Sequence, residues 1–325
     1  MQKILIVDST LRDGNHAIKH QITKEVIRNY AQGAEKANTE ILVVGHGNGL
    51  GASSLHLGMS KVSDKEMLST AKKELHKTKL AAFAIPGFAT LQDIDMAVNE
   101  GVEVMFVATH CTEANVSKQY IKHCKVKTYG VLMMSHMANA DELLSQALRM
   151  QDYGASGIFL MDSAGTLLPN EVRLNVSILT SDLTIPVGFH AHNNLGIAIA
   201  NSLSAINRGA SMIDATIRGF GAGAGNTQLE VLVALLHKIG YKTGLSIREL
   251  LENTKIIEQL KGPQLISPLS IMSGINGIFS GFAPHVDRIS KKYNVDAWDI
   301  FTELGKRKVV AGQEDQILEV AKSLV

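Results

Sequence analysis

Short apolar runs rich in β-branched residues recur along the chain, separated by stretches whose apolar positions fall three and four residues apart. The first pattern is that of a strand buried on both faces, the second that of an amphipathic helix. It predicts strands over 4–8, 40–44, 80–85, 102–108, 128–134, 157–161, 185–190 and 212–217. Helices are expected over 24–37, 65–75, 91–99, 117–123, 141–153, 170–179, 196–208 and 229–239. Eight parallel strand–helix pairs close naturally into a (β/α)8 TIM barrel of about 250 residues. An open, doubly wound sheet is the alternative. Polar, function-like residues follow nearly every predicted strand, whereas an open sheet would gather them at its switch point. The expected fold class is therefore α/β, a barrel.

Past Gly240 the alternation stops. Helical spacing continues over 247–260, 271–282, 285–293, 297–304 and 313–324, with Pro263 and Pro268 as punctuation. The expected organisation is a barrel over 1–262 and a small all-helical domain over 263–325.

Composition narrows the function classes. The chain has 325 residues, 45% hydrophobic and 19% charged, with a formal net charge of +1. That excludes disorder as the main state and gives no reason to expect nucleic acid or an anionic membrane as partner. Cys111 and Cys124 are the only cysteines, so neither a disulfide framework nor a zinc site of paired thiolates is available. No run reaches the roughly 18 apolar residues that a membrane span requires. The apolar run at 4–7 meets Asp8, Arg12 and Asp13 at once, which is too short and too charged for a signal-peptide core. A soluble cytoplasmic protein is expected.

Three clusters could carry chemistry. Asp8 to His16 puts a cation, a carboxylate and an imidazole, Arg12, Asp13 and His16, into the loop after the first strand. A solvated turn with Gly14 at its apex is the plain alternative. His190 and His192 stand two apart at the end of the seventh strand, so both imidazoles face the barrel mouth. Arg218 to Asn226 is a glycine-rich loop after the eighth strand, where barrels often bind anions. Its glycines fail the dinucleotide fingerprint, and the chain has no Walker A motif. Further polar clusters after strands are His46 with Asn48, His110 to Glu113, Ser135 with His136, and Asp162 with Ser163; helix caps would account for any one of them. Nothing marks an activating base for Cys111. A mixed Asp/His/His set with open positions suits a mid-row divalent ion such as Mn²⁺ or Co²⁺.

The stretch Thr10 to Gly14, taken with His190 to Asn193, resembles the metal-dependent lyase and synthase barrels that act on pyruvate-type substrates. These include hydroxymethylglutaryl-CoA lyases and isopropylmalate synthases. Gly45 to Leu50, Ala108 to Ala114, Leu132 to Met137 and Gly221 to Asn226 narrow the resemblance to the 4-hydroxy-2-oxovalerate aldolase family. It extends into the tail, where Val310 to Asp315 is similar to that family's C-terminal communication domain.

The resemblance implies a class II aldolase, a carbon–carbon lyase that splits a 4-hydroxy-2-oxoacid into pyruvate and an aldehyde, usually with manganese; Co²⁺ and Mg²⁺ are the other candidates. It places the metal on Asp13, His190 and His192, enolate stabilisation on Arg12, the catalytic base at His16 and a substrate contact at Ser163, with Arg12, Asp13 and His190 also touching substrate. It implies a role in aromatic hydrocarbon catabolism, a homo- or hetero-oligomer, and an acylating aldehyde dehydrogenase as partner of the helical domain. Three positions depart from the family. Val43 stands where a carboxylate is usual, Asn48 where an aspartate is usual, and Phe279 where a tyrosine is expected. They point to a bulkier or more hydrophobic aldehyde half. A Claisen-type enzyme joining an acyl-CoA to a 2-oxoacid is the rival class; the short C-terminal region and the absence of an evident CoA-binding feature argue against it. A non-catalytic scaffold does not account for Arg12, Asp13, His16, His190 and His192 occurring together.

Overall fold

The computed structural model describes residues 3–261 and 264–325. Eight parallel strands form a closed barrel: β1 (Leu5–Asp8), β2 (Ile41–Val43), β3 (Lys79–Ala84), β4 (Val104–His110), β5 (Lys127–Met133), β6 (Ile158–Asp162), β7 (Val187–Ala191) and β8 (Met212–Ala215). β8 closes on β1, with Leu5 opposite Met212 and Asp8 opposite Ala215.

Side chains alternate across the barrel wall. In β4, Val104, Phe106 and Ala108 point inward, while Met105 and Val107 pack outward against helices. Phe106, Tyr129 and Phe159 fill the barrel axis with ring centroids 5.3–5.6 Å apart. Val43 belongs to the same inner layer. In β7, Phe189 and Ala191 face outward, so the same alternation turns His190 inward.

Helices Leu91–Asn99 and Ile247–Leu260 match the periodicity to the residue. Thr90 and Asp93 form a capping box at the start of the first, and Ser246 caps the second. Other ends differ. The fourth outer helix begins at Ala114, where Gln146 Oε1 accepts the Ala114 N–H at 3.0 Å. The eighth strand stops at Ala215 and gives way to a turn in which Arg218 adopts φ 57°. The continuous helix expected over 271–282 is broken. It ends at Ile275, Gly277 takes φ 64°, and a 3-10 turn at Ser280–Phe282 follows. Ser273 causes the break: its carbonyl accepts the Ile278 N–H at 2.9 Å and its hydroxyl donates to the Ile278 carbonyl at 2.7 Å.

Ile278, Phe282, Val286, Ile300, Phe301, Leu304, Ile317 and Val320 form a separate core in the C-terminal region. The region sits over the barrel mouth. Gln264 Nε2 donates to the Gly223 carbonyl at 2.6 Å, and His136 Nε2 meets the Gly277 carbonyl at 2.9 Å. The expected boundary between 262 and 263 falls on Gly262 and Pro263, outside the described residues. Among the described residues, no helix is long and apolar enough to cross a membrane.

Candidate active site

The loop after β1 is not a solvated turn. Asp8 accepts hydrogen bonds from Thr10 N–H at 2.9 Å, Thr10 Oγ1 at 2.6 Å and Tyr30 OH at 2.7 Å. Thr10 Oγ1 in turn accepts the Ile217 N–H at 2.8 Å. Burial pushes the Asp8 carboxyl up to about 6, against the pull of these donors. The knot fixes residues 9–15, all buried, and a short helix at Gly14–Ala17 follows. Arg12 and Asp13 are thereby delivered into the barrel mouth.

Arg12 Nη1 lies 2.9 Å from Asp13 Oδ2 and donates to the Gly47 carbonyl at 3.2 Å. Its guanidinium lies 4.5 Å from the centre of the Phe83 ring. Nε and Nη2 are buried without a hydrogen-bond partner, and Asp214 Oδ2 is 3.9 Å from Nη2. Asp13 Oδ1 accepts the Ala222 N–H at 3.1 Å. Burial opposes its ionisation, yet Arg12 and the neighbouring imidazoles hold it well below the usual carboxylate range.

His190 Nε2 accepts from Asn226 Nδ2 at 2.8 Å and lies 3.7 Å from Asp13 Oδ2. Its Nδ1 is 2.9 Å from Asp214 Oδ2, off the line of a hydrogen bond. His192 donates from Nδ1 to the Asp162 carbonyl at 3.0 Å, which leaves Nε2 free, 4.0 Å from Asp13 Oδ1. Burial lowers the His192 imidazole to about 4, with Asp13 pulling the other way. Ligand atoms of Asp13, His190 and His192 all lie within 4.8 Å of one another, and all three residues are buried. An ionised carboxylate and neutral imidazoles are the donor set that a divalent cation requires. Asn226 Oδ1, buried beside them without a partner, adds a further unsatisfied oxygen. The residues fit a metal ion.

His16 is half-buried at the same mouth, its ring edge-on to Phe279 at 6.5 Å. Burial lowers its pKa, with Asp13 opposing. A β-carbon at Gly47 would collide with the His16 ring, so glycine there is a steric requirement. Ser163 Oγ accepts the Met134 N–H at 3.0 Å, while its carbonyl accepts from Ser280 Oγ at 2.9 Å and Ser280 N–H at 3.1 Å. Two cavities meet at Phe279. One, about 790 Å³, is lined by His16, Asn48 and Gly221. The other, about 260 Å³, is lined by Ile85, Pro86, Met133, Met134, Ser163 and the segment Val310 to Gln313.

The remaining candidates sit farther out. His110 and Glu113 line the smaller cavity. Burial pushes the Cys111 thiol up to about 12. Ser135 Oγ donates to the Met161 carbonyl at 3.0 Å, a structural bond. Asp162 accepts the N–H groups of Thr166 and Leu167, each at 3.1 Å, and burial raises it to about 6. The sequence pattern does not single out Asp214, although it lies beside both His190 and Arg12. Its one signal was a lone carboxylate near the C-terminal end of an apolar barrel strand.

Residues 3–257 match the HMGL-like family model and residues 264–325 the DmpG-like communication domain. A 4-hydroxy-2-oxovalerate aldolase of Pectobacterium atrosepticum is 50% identical over 99% of this chain and 96% of its own length. One from Spirochaeta aurantia is also 50% identical, over 99% and 96%, and one from Serratia proteamaculans 46%, over 99% and 98%. The N-terminal domain of a Bacteroides vulgatus protein described as an aldolase superposes with TM-score 0.74 at 24% identity, covering 89% of this chain and 97% of that one. The carboxyl transferase domain of Rhizobium etli pyruvate carboxylase gives TM-score 0.84 at 16% identity, covering 100% and 61%. At these identities the two structures speak for the fold alone. The curated relatives and the two family models together show that this chain belongs to the 4-hydroxy-2-oxovalerate aldolase family.

Proposed function

We propose that the chain is a divalent-metal aldolase that cleaves 4-hydroxy-2-oxoacids to pyruvate and an aldehyde, with Asp13, His190 and His192 holding the metal. One observation carries the reading: these three ligands converge beside a buried guanidinium with unpaired nitrogens. A divalent ion held by Asp13, His190 and His192, manganese foremost, would supply Lewis-acid stabilisation of the 2-oxo group.

The chain's own residues do the rest. His16 takes the proton of the C4 hydroxyl, the C3–C4 bond breaks, and the electron pair passes to the pyruvate enolate. Arg12 Nη2 offers a permanently charged donor to the enolate oxygen. The proton then returns to C3, giving pyruvate. Ser163 contacts the substrate from the wall of the smaller cavity. No lysine Schiff base is needed.

Phe279 favours a refinement of the substrate. It lines both cavities beside His16 without a hydroxyl, and the smaller cavity is walled mainly by apolar side chains. The aldehyde half is accordingly bulkier or more hydrophobic than acetaldehyde. The communication domain over 264–325 supports an acylating aldehyde dehydrogenase as partner. The domain boundary lies at 262/263.

Pyruvate release from 4-hydroxy-2-oxovalerate and longer homologues, with and without acetyl-CoA, tests the reading. Metal-dependent release without acetyl-CoA is expected. Product formed only with acetyl-CoA would overturn it in favour of a Claisen condensation.

A further inference from the structure

We propose that His20 and His46 are positioning residues: their stacked imidazoles fix the two peptides that flank Gly47, and through them the spacing of Arg12 and His16. The inference rests on the aldolase reading and adds two side chains that act through another residue.

The two rings lie 3.6 Å apart with 12° between their planes, both buried. Two imidazolium ions would repel at that distance, so at least one ring is neutral, and burial lowers the pKa of both. Their hydrogen bonds fix the tautomers as well. His46 Nδ1 accepts the Asn48 N–H at 3.1 Å, so its proton is on Nε2, which donates to the Gly58 carbonyl at 3.0 Å. His20 Nδ1 accepts the Gly47 N–H at 3.4 Å. A ring nitrogen that accepts from a backbone N–H carries no proton of its own.

Gly47 is the shared part. Its N–H is held by His20, and its carbonyl receives Arg12 Nη1 at 3.2 Å. Its α-carbon faces the His16 ring so closely that no β-carbon fits. His16 also meets the edge of His20 directly, with centroids 5.1 Å apart. The two peptides that flank the Gly47 α-carbon therefore set both the enolate donor and the proposed base. The outer side is clamped too. Lys61 N–H donates to the His20 carbonyl at 3.0 Å, and the turn at 54–58 is closed by Gly58 N–H to the Ser54 carbonyl at 2.8 Å. Gly58, at φ 107°, has no room for a β-carbon against His20.

Mere core filling would be satisfied by any ring of similar size. Positioning requires an acceptor where His20 Nδ1 stands. His20→Asn keeps that acceptor without the ring, and His20→Phe keeps the ring without the acceptor. His20→Phe should lower kcat about tenfold or more while KM stays within about threefold, because misplacing reacting groups costs turnover before binding. His20→Asn should hold kcat within about threefold of the wild type. Bound metal and Tm should match the wild type in both. The reverse order, equal losses, or two undiminished variants would each overturn the proposal. If His20→Phe fails to fold, His46→Asn, which keeps an acceptor for the Asn48 N–H, against His46→Phe decides in the same way. Independently of turnover, imidazole ¹⁵N shifts near pH 8 should place the proton on Nε2 in both rings. A His20 protonated at Nδ1 would overturn the proposal even in a chain that releases no pyruvate. A wild-type chain inactive with every 4-hydroxy-2-oxoacid would instead overturn the aldolase reading.

Discussion

Arg12 is buried with Nε and Nη2 unpaired, and a protein interior rarely leaves such donors unsatisfied. In the proposed reaction the departing enolate oxygen satisfies them. Arg12→Ala should then lower kcat by about 10²–10³ with a smaller effect on KM, as measured by steady-state pyruvate release. Arg12→Lys should not restore it, because a point charge cannot reach Asp13, the Gly47 carbonyl and the enolate together. His16→Ala should cost about 10²–10⁴ in turnover. A loss confined to KM in both variants would mean that the two residues only bind substrate. Phe279 faces His16 with no hydroxyl, so it adds no second hydrogen-bonding group beside His16 for the C4 oxygen. Phe279→Tyr should raise selectivity for 4-hydroxy-2-oxovalerate over longer homologues and tighten C4 stereochemistry. Full efficiency and strict stereochemistry in the native protein would remove that role from Phe279.

At the scale of elements, the loops after the strands carry the chemistry and bury neutral histidines to hold it. Burial lowers His46 to about 4. The folded state therefore refuses a proton that the unfolded chain takes below its ordinary imidazole pKa of about 6.5. Stability from this group is complete above that value and is lost as pH falls toward 4. Tm should drop over that window, and His46→Asn should drop less than the wild type; parallel curves for the two would contradict the burial account. The strands and most helices were legible in the sequence because two-sided burial writes continuous apolar runs and one-sided burial writes a 3.6 period. The break after Ile275 was not, since it depends on where the Ser273 and Ile278 groups meet in space. The clusters at 8–16 and 190–192 stood out as polar residues at strand ends. Asp214 did not, because its partners lie far away in sequence at positions 12 and 190. The burial of the first loop was equally hidden, as it rests on Tyr30 reaching back to Asp8 from a helix.

At the scale of the whole molecule, the C-terminal region forms part of the site. Ser280 holds the Ser163 carbonyl, and Val310 to Gln313 wall the smaller cavity together with Phe279. The region that matches the communication domain thus walls a cavity which the proposed reaction assigns to substrate. Size-exclusion chromatography of the chain mixed with an acylating aldehyde dehydrogenase should show co-migration; two separate peaks would count against the partnership. The central claim is that one divalent ion on Asp13, His190 and His192 supports cleavage. The most direct test is metal content and pyruvate release measured together on the wild type and His192→Ala. The account predicts one equivalent of metal and turnover in the wild type, and loss of both in a variant that keeps its fold. A folded His192→Ala protein that retains its metal and its turnover would contradict it.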